Sequence, residues 1–109
     1  MRLLLVSDFT IDSIAGLMHG DDRDTTTTMI EVAPLDHVLP SLLTLAQGPK
    51  CEHTDAVLIW TRPETAIPGF ARVLDAPFTV NDLRAEVDAF AEHVLAAAEK
   101  VNLILVPTW

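Results

Sequence analysis

The sequence predicts an α/β domain, a three-layer α/β/α sandwich built around a parallel sheet. Three short runs, residues 2–7, 56–60 and 102–106, are almost continuously apolar and do not alternate. That pattern is typical of strands covered on both faces, as in a parallel sheet. A weaker fourth run at residues 27–32 is rich in β-branched side chains, and its mixed polarity favours an edge strand. Helical segments separate these runs, and such alternation indicates a layered α/β fold.

The clearest helical pattern covers residues 80–100, and Thr79 or Asn81 is the expected N-cap. Its apolar residues recur at three- and four-residue steps, which predicts one inward face. We expect that face to contain Leu83, Val87, Phe90, Ala91, Val94, Leu95 and Ala98.

Two shorter helices are predicted before it. In residues 11–18, Ile14, Leu17 and Met18 are expected to face inward. In residues 35–45, Pro40 would have to lie in the first turn or kink the helix.

The predicted order is β-α-β-α-β-α-β in one domain, residues 1–109, with right-handed crossovers. Exposed loops are expected at residues 20–25 and 47–53, and a long loop with one short helical turn at 62–77. A covering helix usually follows a parallel strand, but no helical segment follows the strand predicted at residues 102–106. We therefore expect either a domain excised from a longer chain or a last strand covered by another chain.

The composition restricts the class of function. Seven basic and 16 acidic residues give a formal charge of −9, which argues against nucleic acid and anionic membranes as partners. Cys51 is the only cysteine, which excludes an internal disulfide and is compatible with a reducing compartment. No apolar run approaches the length of a membrane span, and the N-terminal run is too short for a signal peptide. We expect a cytoplasmic protein.

Candidate site residues follow from the sheet, because ligands of parallel sheets bind beyond the carboxyl ends of the strands. The first strand would bring Ser7, Asp8 and Thr10 to that edge, as candidate catalytic groups. Candidate ligand-binding residues follow the second and third strands: Asp36, His37, Thr61 and Arg62. The histidines lack metal-ligand spacing, so neither a metal site nor a cofactor is predicted.

The first strand and the residues after it are similar to the start of two enzyme families. Haloacid-dehalogenase-type enzymes place a second aspartate two residues after the first, where this chain has Thr10; the next acid is Asp12. SGNH (GDSL) hydrolases end their first strand in Gly-Asp-Ser, where this chain has Ser7-Asp8-Phe9. The position of the serine nucleophile is therefore occupied by Phe9, which has no nucleophilic atom.

Four stretches, "LLLVSDFTIDSIAGLM", "IEVAPLDHVLPSLL", "TDAVLIWTRPE" and "VNLILVPTW", together resemble the N-terminal SGNH-like domain of FkbH-type biosynthetic proteins. The resemblance covers nearly the whole chain. It implies a flavodoxin-like or SGNH-hydrolase-like fold with a degenerate catalytic motif. It also implies an association with glyceryl or acyl transfer onto acyl carrier protein, and a second domain as partner.

Structural roles compete with the functional ones at each position. Asp8 could cap the following helix, and Ser7 and Thr10 could be turn hydroxyls. His37 could be an ordinary surface histidine, and Arg62 could pair with Glu64 or another acid rather than bind an anion.

Three functions stay open. The first is a degenerate SGNH-like binding or assembly module, not catalytic by itself. The second is an active esterase or acyltransferase that uses Ser7, Thr10 or Ser13. The third is a small stand-alone protein that dimerises through its last strand or through exposed tryptophans, of which Trp109 is the expected contact.

Overall fold

The computed structural model describes residues 1–19, 28–50, 52–73, 77 and 79–107. Within them the chain forms four strands and five helices. The strands are β1 (Arg2–Ser7), β2 (Met29–Val32), β3 (Ala56–Trp60) and β4 (Leu103–Leu105). The helices are α1 (Asp12–His19), α2 (Val38–Gln47), α3 (Pro63–Ala66), α4 (Pro68–Ala71) and α5 (Val80–Ala98).

The four strands form one sheet in the order β2-β1-β3-β4, and every pair is parallel. The parallel α/β architecture predicted from the apolar runs is therefore confirmed. Leu5 at the middle of β1 is aligned with Val32 on one side and Leu58 on the other. The prediction that the second strand is an edge strand is also confirmed, and β4 forms the opposite edge.

Two apolar cores lie on opposite faces of the sheet because successive strand residues point to opposite sides. On one face, α2 and α5 cover Val6, Val57 and Ile59, all nearly inaccessible. On the other face, α1 packs against Leu3 and Leu5 of β1.

The long helix begins at the predicted residue, and the Thr79 hydroxyl accepts a hydrogen bond from the Asp82 N–H at 3.2 Å. That makes Thr79 rather than Asn81 the N-cap. Pro40 is the third residue of α2 and lies in its first turn, where no internal hydrogen bond is lost. The predicted loop at 62–77 contains two short helices, each with a proline in its first turn, where one turn was expected.

The inward faces of two helices differ from the prediction. In α1, Ile14 packs inward but Leu17 is 78% exposed and Met18 is also exposed, because Ile11 and Ala15 form the buried turn. In α5, the stripe of Val87, Ala91 and Leu95 is exposed, and Leu95 reaches 65%. These residues recur every four positions along a second apolar stripe, and the sheet contacts only the stripe that contains Phe90, Val94 and Ala97.

Several predicted features lie outside the described residues. They are the loop at 20–25, the first residue of the predicted second strand (Thr27), Cys51, Thr108 and Trp109. Among the helices that the structure does describe, none is long and apolar enough to cross a membrane.

Candidate functional site: a cleft at the carboxyl edge of the sheet

A cleft of about 490 Å³ lies where β1 and β3 end, on the side covered by α2 and α5. Its volume is within the range of small-molecule sites, and its place agrees with the rule for parallel sheets. The side chains that line it come from five parts of the chain. They are Asp8, Asp36, Val38, Leu39, Pro40, Thr61, Thr65, Ala66, Pro68, Arg72, Glu86, Ala89, Phe90 and His93.

Asp8 is the most enclosed ionisable group of the cleft, since its side chain is 0% exposed. Its Oδ2 atom accepts the backbone N–H of Arg62 at 2.9 Å. Its Oδ1 atom is 3.4 Å from the Nε atom of Arg62, and the Arg62 Nη2 atom donates to the Asp8 carbonyl at 3.3 Å. Three contacts between one pair of residues therefore tie the end of β1 to the end of β3.

The contact with Asp8 decides what Arg62 does. A buried carboxylate requires a compensating positive charge, and Arg62 supplies it together with a backbone donor. The Arg62 side chain is 52% exposed, so it reaches Asp8 from the solvent side. The alternative partner considered for it, Glu64, has no ion pair to it among the described contacts.

The alternation along β1 separates two of the predicted catalytic residues. Ser7 is the last residue of the strand and Asp8 follows it directly, so their side chains leave the sheet on opposite faces. Asp8 borders the cleft beside α2 and α5. Ser7 borders a different cavity of about 270 Å³ on the α1 side, together with Thr10 and Asp12.

In the α1-side cavity, no hydrogen bond among the described contacts joins the Ser7 or Thr10 hydroxyl to the Asp12 carboxylate. The Ser7 Oγ atom accepts the Phe9 N–H at 3.1 Å, which is the contact of a turn hydroxyl. Phe9, at the position where SGNH hydrolases have their serine, packs edge-on against Trp60 with ring centroids 5.7 Å apart. Ser7, Asp8 and Thr10 are thus not assembled as one group.

Two other predicted residues lie in the turn between β2 and α2. Asp36 has a φ of 58°, in the left-handed region where aspartate and asparagine are the commonest residues other than glycine, and it borders the cleft. His37 is exposed, and its Nδ1 atom is 2.7 Å from the Leu35 carbonyl, so the ring folds back on its own turn. Of the predicted ligand-binding residues, Asp36 and Thr61 line the cleft and Arg62 supports it.

Sequence reasoning missed the contribution of α5. Glu86, Phe90 and His93 follow one another at steps of four and three residues, so they share one helix face and all border the cleft. Glu86 accepts the backbone N–H of Gly69 and is 3.7 Å from Arg72, which fixes α4 to α5. The spacing is visible in the sequence, but a charged residue such as Glu86 is normally expected on the solvated face of an amphipathic helix.

The cleft combines apolar walls with a few polar groups, an arrangement suited to holding a ligand. Among the residues that the structure describes, no group of three His, Cys, Asp or Glu side chains is placed to hold a metal ion. No family model, curated protein or solved structure matches this chain. What the chain does is therefore inferred from the geometry of the cleft.

Proposed function

We propose that this chain is a binding module without catalytic activity of its own, and that its ligand occupies the cleft. The observation that carries the proposal is the buried Asp8–Arg62 contact at the end of β1 and β3. It fixes the floor of a preformed cleft without joining the carboxylate to a nucleophile. A rigid floor between apolar walls favours binding because the protein loses little conformational entropy when the ligand binds.

Within this proposal the fold is SGNH-like, and the module belongs to a cytoplasmic protein of acyl or glyceryl transfer. The strand order β2-β1-β3-β4 supports it, because flavodoxin-like sheets begin with the order 2-1-3-4. Phe9 at the nucleophile position supports the loss of catalysis. The partner proposed is a second domain or an acyl carrier protein that presents the ligand.

The proposal is tested by thermal unfolding in the presence of a short acyl-pantetheine, measured against buffer. A ligand that binds only the folded state raises Tm, and saturation at about 100 times Kd stabilises by about 2.7 kcal/mol. The matched variants are Ala89→Trp, which fills the cleft, and Ala91→Trp, which lies on the exposed stripe of the same helix. We expect the shift to disappear in the first variant and to persist in the second.

Two results would contradict this function. A shift that is equal in both tryptophan variants would place binding elsewhere. Burst turnover of an activated ester that is lost in Ser7→Ala would instead support the esterase alternative.

A second function, self-association through β4, is favoured by one specific observation. Leu103 and Leu105 lie on the edge strand β4, 49% and 47% exposed. They point to the face where the core under α1 contains residues of β1, β2 and β3 but none of β4. Sedimentation of the wild type and of Leu105→Arg tests it. A dimer that becomes monomeric in the variant supports association through β4, whereas a wild-type monomer at all concentrations excludes it.

A further inference from the structure

We infer that the cleft takes an uncharged amphipathic ligand, an apolar chain with a hydroxyl or amide end, and discriminates against phosphorylated or carboxylate ligands. This inference rests on the proposed function and names the ligand class of the same cleft. Arg62, at a strand end, is the residue type expected to bind a phosphate, so the cleft departs from what its sequence motif suggests.

The apolar character comes from three sides of the cleft. The first turn of α2 contributes Val38 and Leu39, and the short helix α4 contributes Pro68. The inner face of α5 contributes Ala89 and Phe90. Half of the lining residues are apolar, which is enough to remove an aliphatic chain of several carbons from water.

The two guanidinium groups that the structure describes near the cleft each lie beside a carboxylate. Arg62 contacts Asp8 through its backbone N–H, its Nε atom and its Nη2 atom. Arg72 lies 3.7 Å from Glu86, which is itself bound to the Gly69 N–H. Arg62 and Arg72 stay 52% and 66% exposed, so an anionic ligand would share a guanidinium whose charge a carboxylate already offsets. Drawing Arg62 away from Asp8 would leave the buried carboxylate uncompensated.

Among the residues that the structure describes, the remaining formal charge of the cleft is negative when His93 is counted as neutral. Asp8, Asp36 and Glu86 border it, against Arg72 on its wall and Arg62 at its floor. After the two pairs are formed, Asp36 is left with no ion pair among the described contacts. With His93 counted as neutral, a phosphate would meet the charge of Asp36, and the described lining residues hold no unpaired formal positive charge to offset it.

A cationic ligand is disfavoured at the floor of the cleft. The Oδ1 atom of Asp8 is buried and accepts no hydrogen bond among the described contacts, and the Arg62 Nε atom lies 3.4 Å from it. An ammonium group placed there would therefore lie beside a guanidinium. A neutral donor avoids both repulsions, since it needs neither a cation nor a free carboxylate.

The experiment is calorimetric titration of the whole chain with three ligands of the same chain length: octan-1-ol, octyl phosphate and octylamine. We expect the alcohol to bind at least about tenfold tighter than the phosphate, which corresponds to about 1.4 kcal/mol. Binding of the alcohol should be lost in Ala89→Trp and kept in Ala91→Trp. Octylamine should bind no more tightly than the alcohol.

A second pair of variants tests the electrostatic origin of the selectivity. Asp36→Asn removes one charge at the cleft and retains a residue suited to a φ of 58°. Glu92→Gln removes one charge from an exposed position of α5 that does not border the cleft. Octyl phosphate should bind more tightly to Asp36→Asn than to the wild type, and its affinity for Glu92→Gln should stay close to that of the wild type.

The failures of the two proposals are distinguishable. If octyl phosphate or octylamine binds more tightly than the alcohol and Ala89→Trp abolishes that binding, the ligand class is wrong and the binding cleft stands. Equal gains of phosphate affinity in the two charge variants would also overturn the inference. If none of the three ligands binds, or if Ala89→Trp leaves their binding unchanged, both the inference and the proposed function are wrong.

Discussion

The two faces of the sheet are covered to different extents. On one face, α2 and α5 pack against each other and over Val6, Val57 and Ile59. On the other face, α1 covers Leu3 and Leu5, and the apolar side chains of β4 stay about half exposed. The same apolar strands supply the side chains of both faces. The difference in coverage therefore arises from the positions of the helices.

The covered face is also the face that forms the cleft. The walls are the first turn of α2, the middle of α5 and the short helices α3 and α4. The floor is Asp8, which the alternation of β1 directs to that side. The open face has the smaller cavity with Ser7 and Thr10, and beyond it the exposed leucines of β4. In this chain the cleft of about 490 Å³ lies on the face covered by α2 and α5, whereas the face covered by α1 has the cavity of about 270 Å³ and the exposed leucines of β4.

The largest effect is expected from removing a leucine from each face. Leu42 on α2 is completely buried, and Leu42→Ala should lower the free energy of unfolding by about 2–5 kcal/mol because a cavity remains. Leu105→Ala on the open face should cost at most about 0.5 kcal/mol, as expected of an exposed site. Urea unfolding measures both. A cost for Leu105→Ala that approaches the cost of Leu42→Ala and grows with protein concentration would show that the open face is covered in solution.

A smaller difference separates the neighbouring polar residues at the end of β1. Asp8→Ala removes the acceptor of the Arg62 N–H and the ionic partner of its side chain, and should cost about 1–3 kcal/mol. Ser7→Ala removes only the acceptor of the Phe9 N–H and should cost about 0.5–1.5 kcal/mol. Unfolding by guanidinium chloride compares them. If Ser7→Ala lowered the free energy of unfolding more than Asp8→Ala does, the Asp8–Arg62 contact would not be what holds the ends of β1 and β3 together.

The smallest effect concerns the start of α5, the helix that forms one wall of the cleft. Thr79→Ala removes the hydroxyl that caps the helix and should cost about 1 kcal/mol. Asn81→Ala, inside the first turn, should be neutral or slightly stabilising, because alanine has the higher helix propensity. Thermal unfolding measures the two variants. Equal losses of Tm would mean that the capping contact contributes nothing to the stability of that wall.

Much of the architecture could be predicted from the sequence. The continuous apolar character of β1, β3 and β4 indicated a parallel sheet, and the structure contains one. The residue pattern placed the start of α5 correctly and identified β2 as an edge strand. The prediction that the last strand is covered on both faces was wrong, because β4 is the other edge and Leu103 and Leu105 stay about half exposed. The two short helices near Pro63 and Pro68 were only partly predicted, because four-residue helices have too few turns to produce a periodic signal.

The site was less predictable. Its location followed from the rule for parallel strands, and Asp8, Asp36 and Thr61 border the cleft as a group. Grouping Ser7 with Asp8 ignored the period of two, which sends neighbouring side chains to opposite faces of the sheet. Glu86 and His93 were missed because a charged or polar residue on an amphipathic helix is normally expected in solvent.

The sequence by itself determined the class of fold, the strands and the charge of the chain, since these follow from local composition and from short-range periodicity. Only the tertiary structure decided that Arg62 would be bound to Asp8, a contact between residues far apart along the chain that forms when β1 and β3 pair in parallel. It also decided which stripe of α5 is buried, because that helix has two apolar stripes and only packing against the sheet distinguishes them.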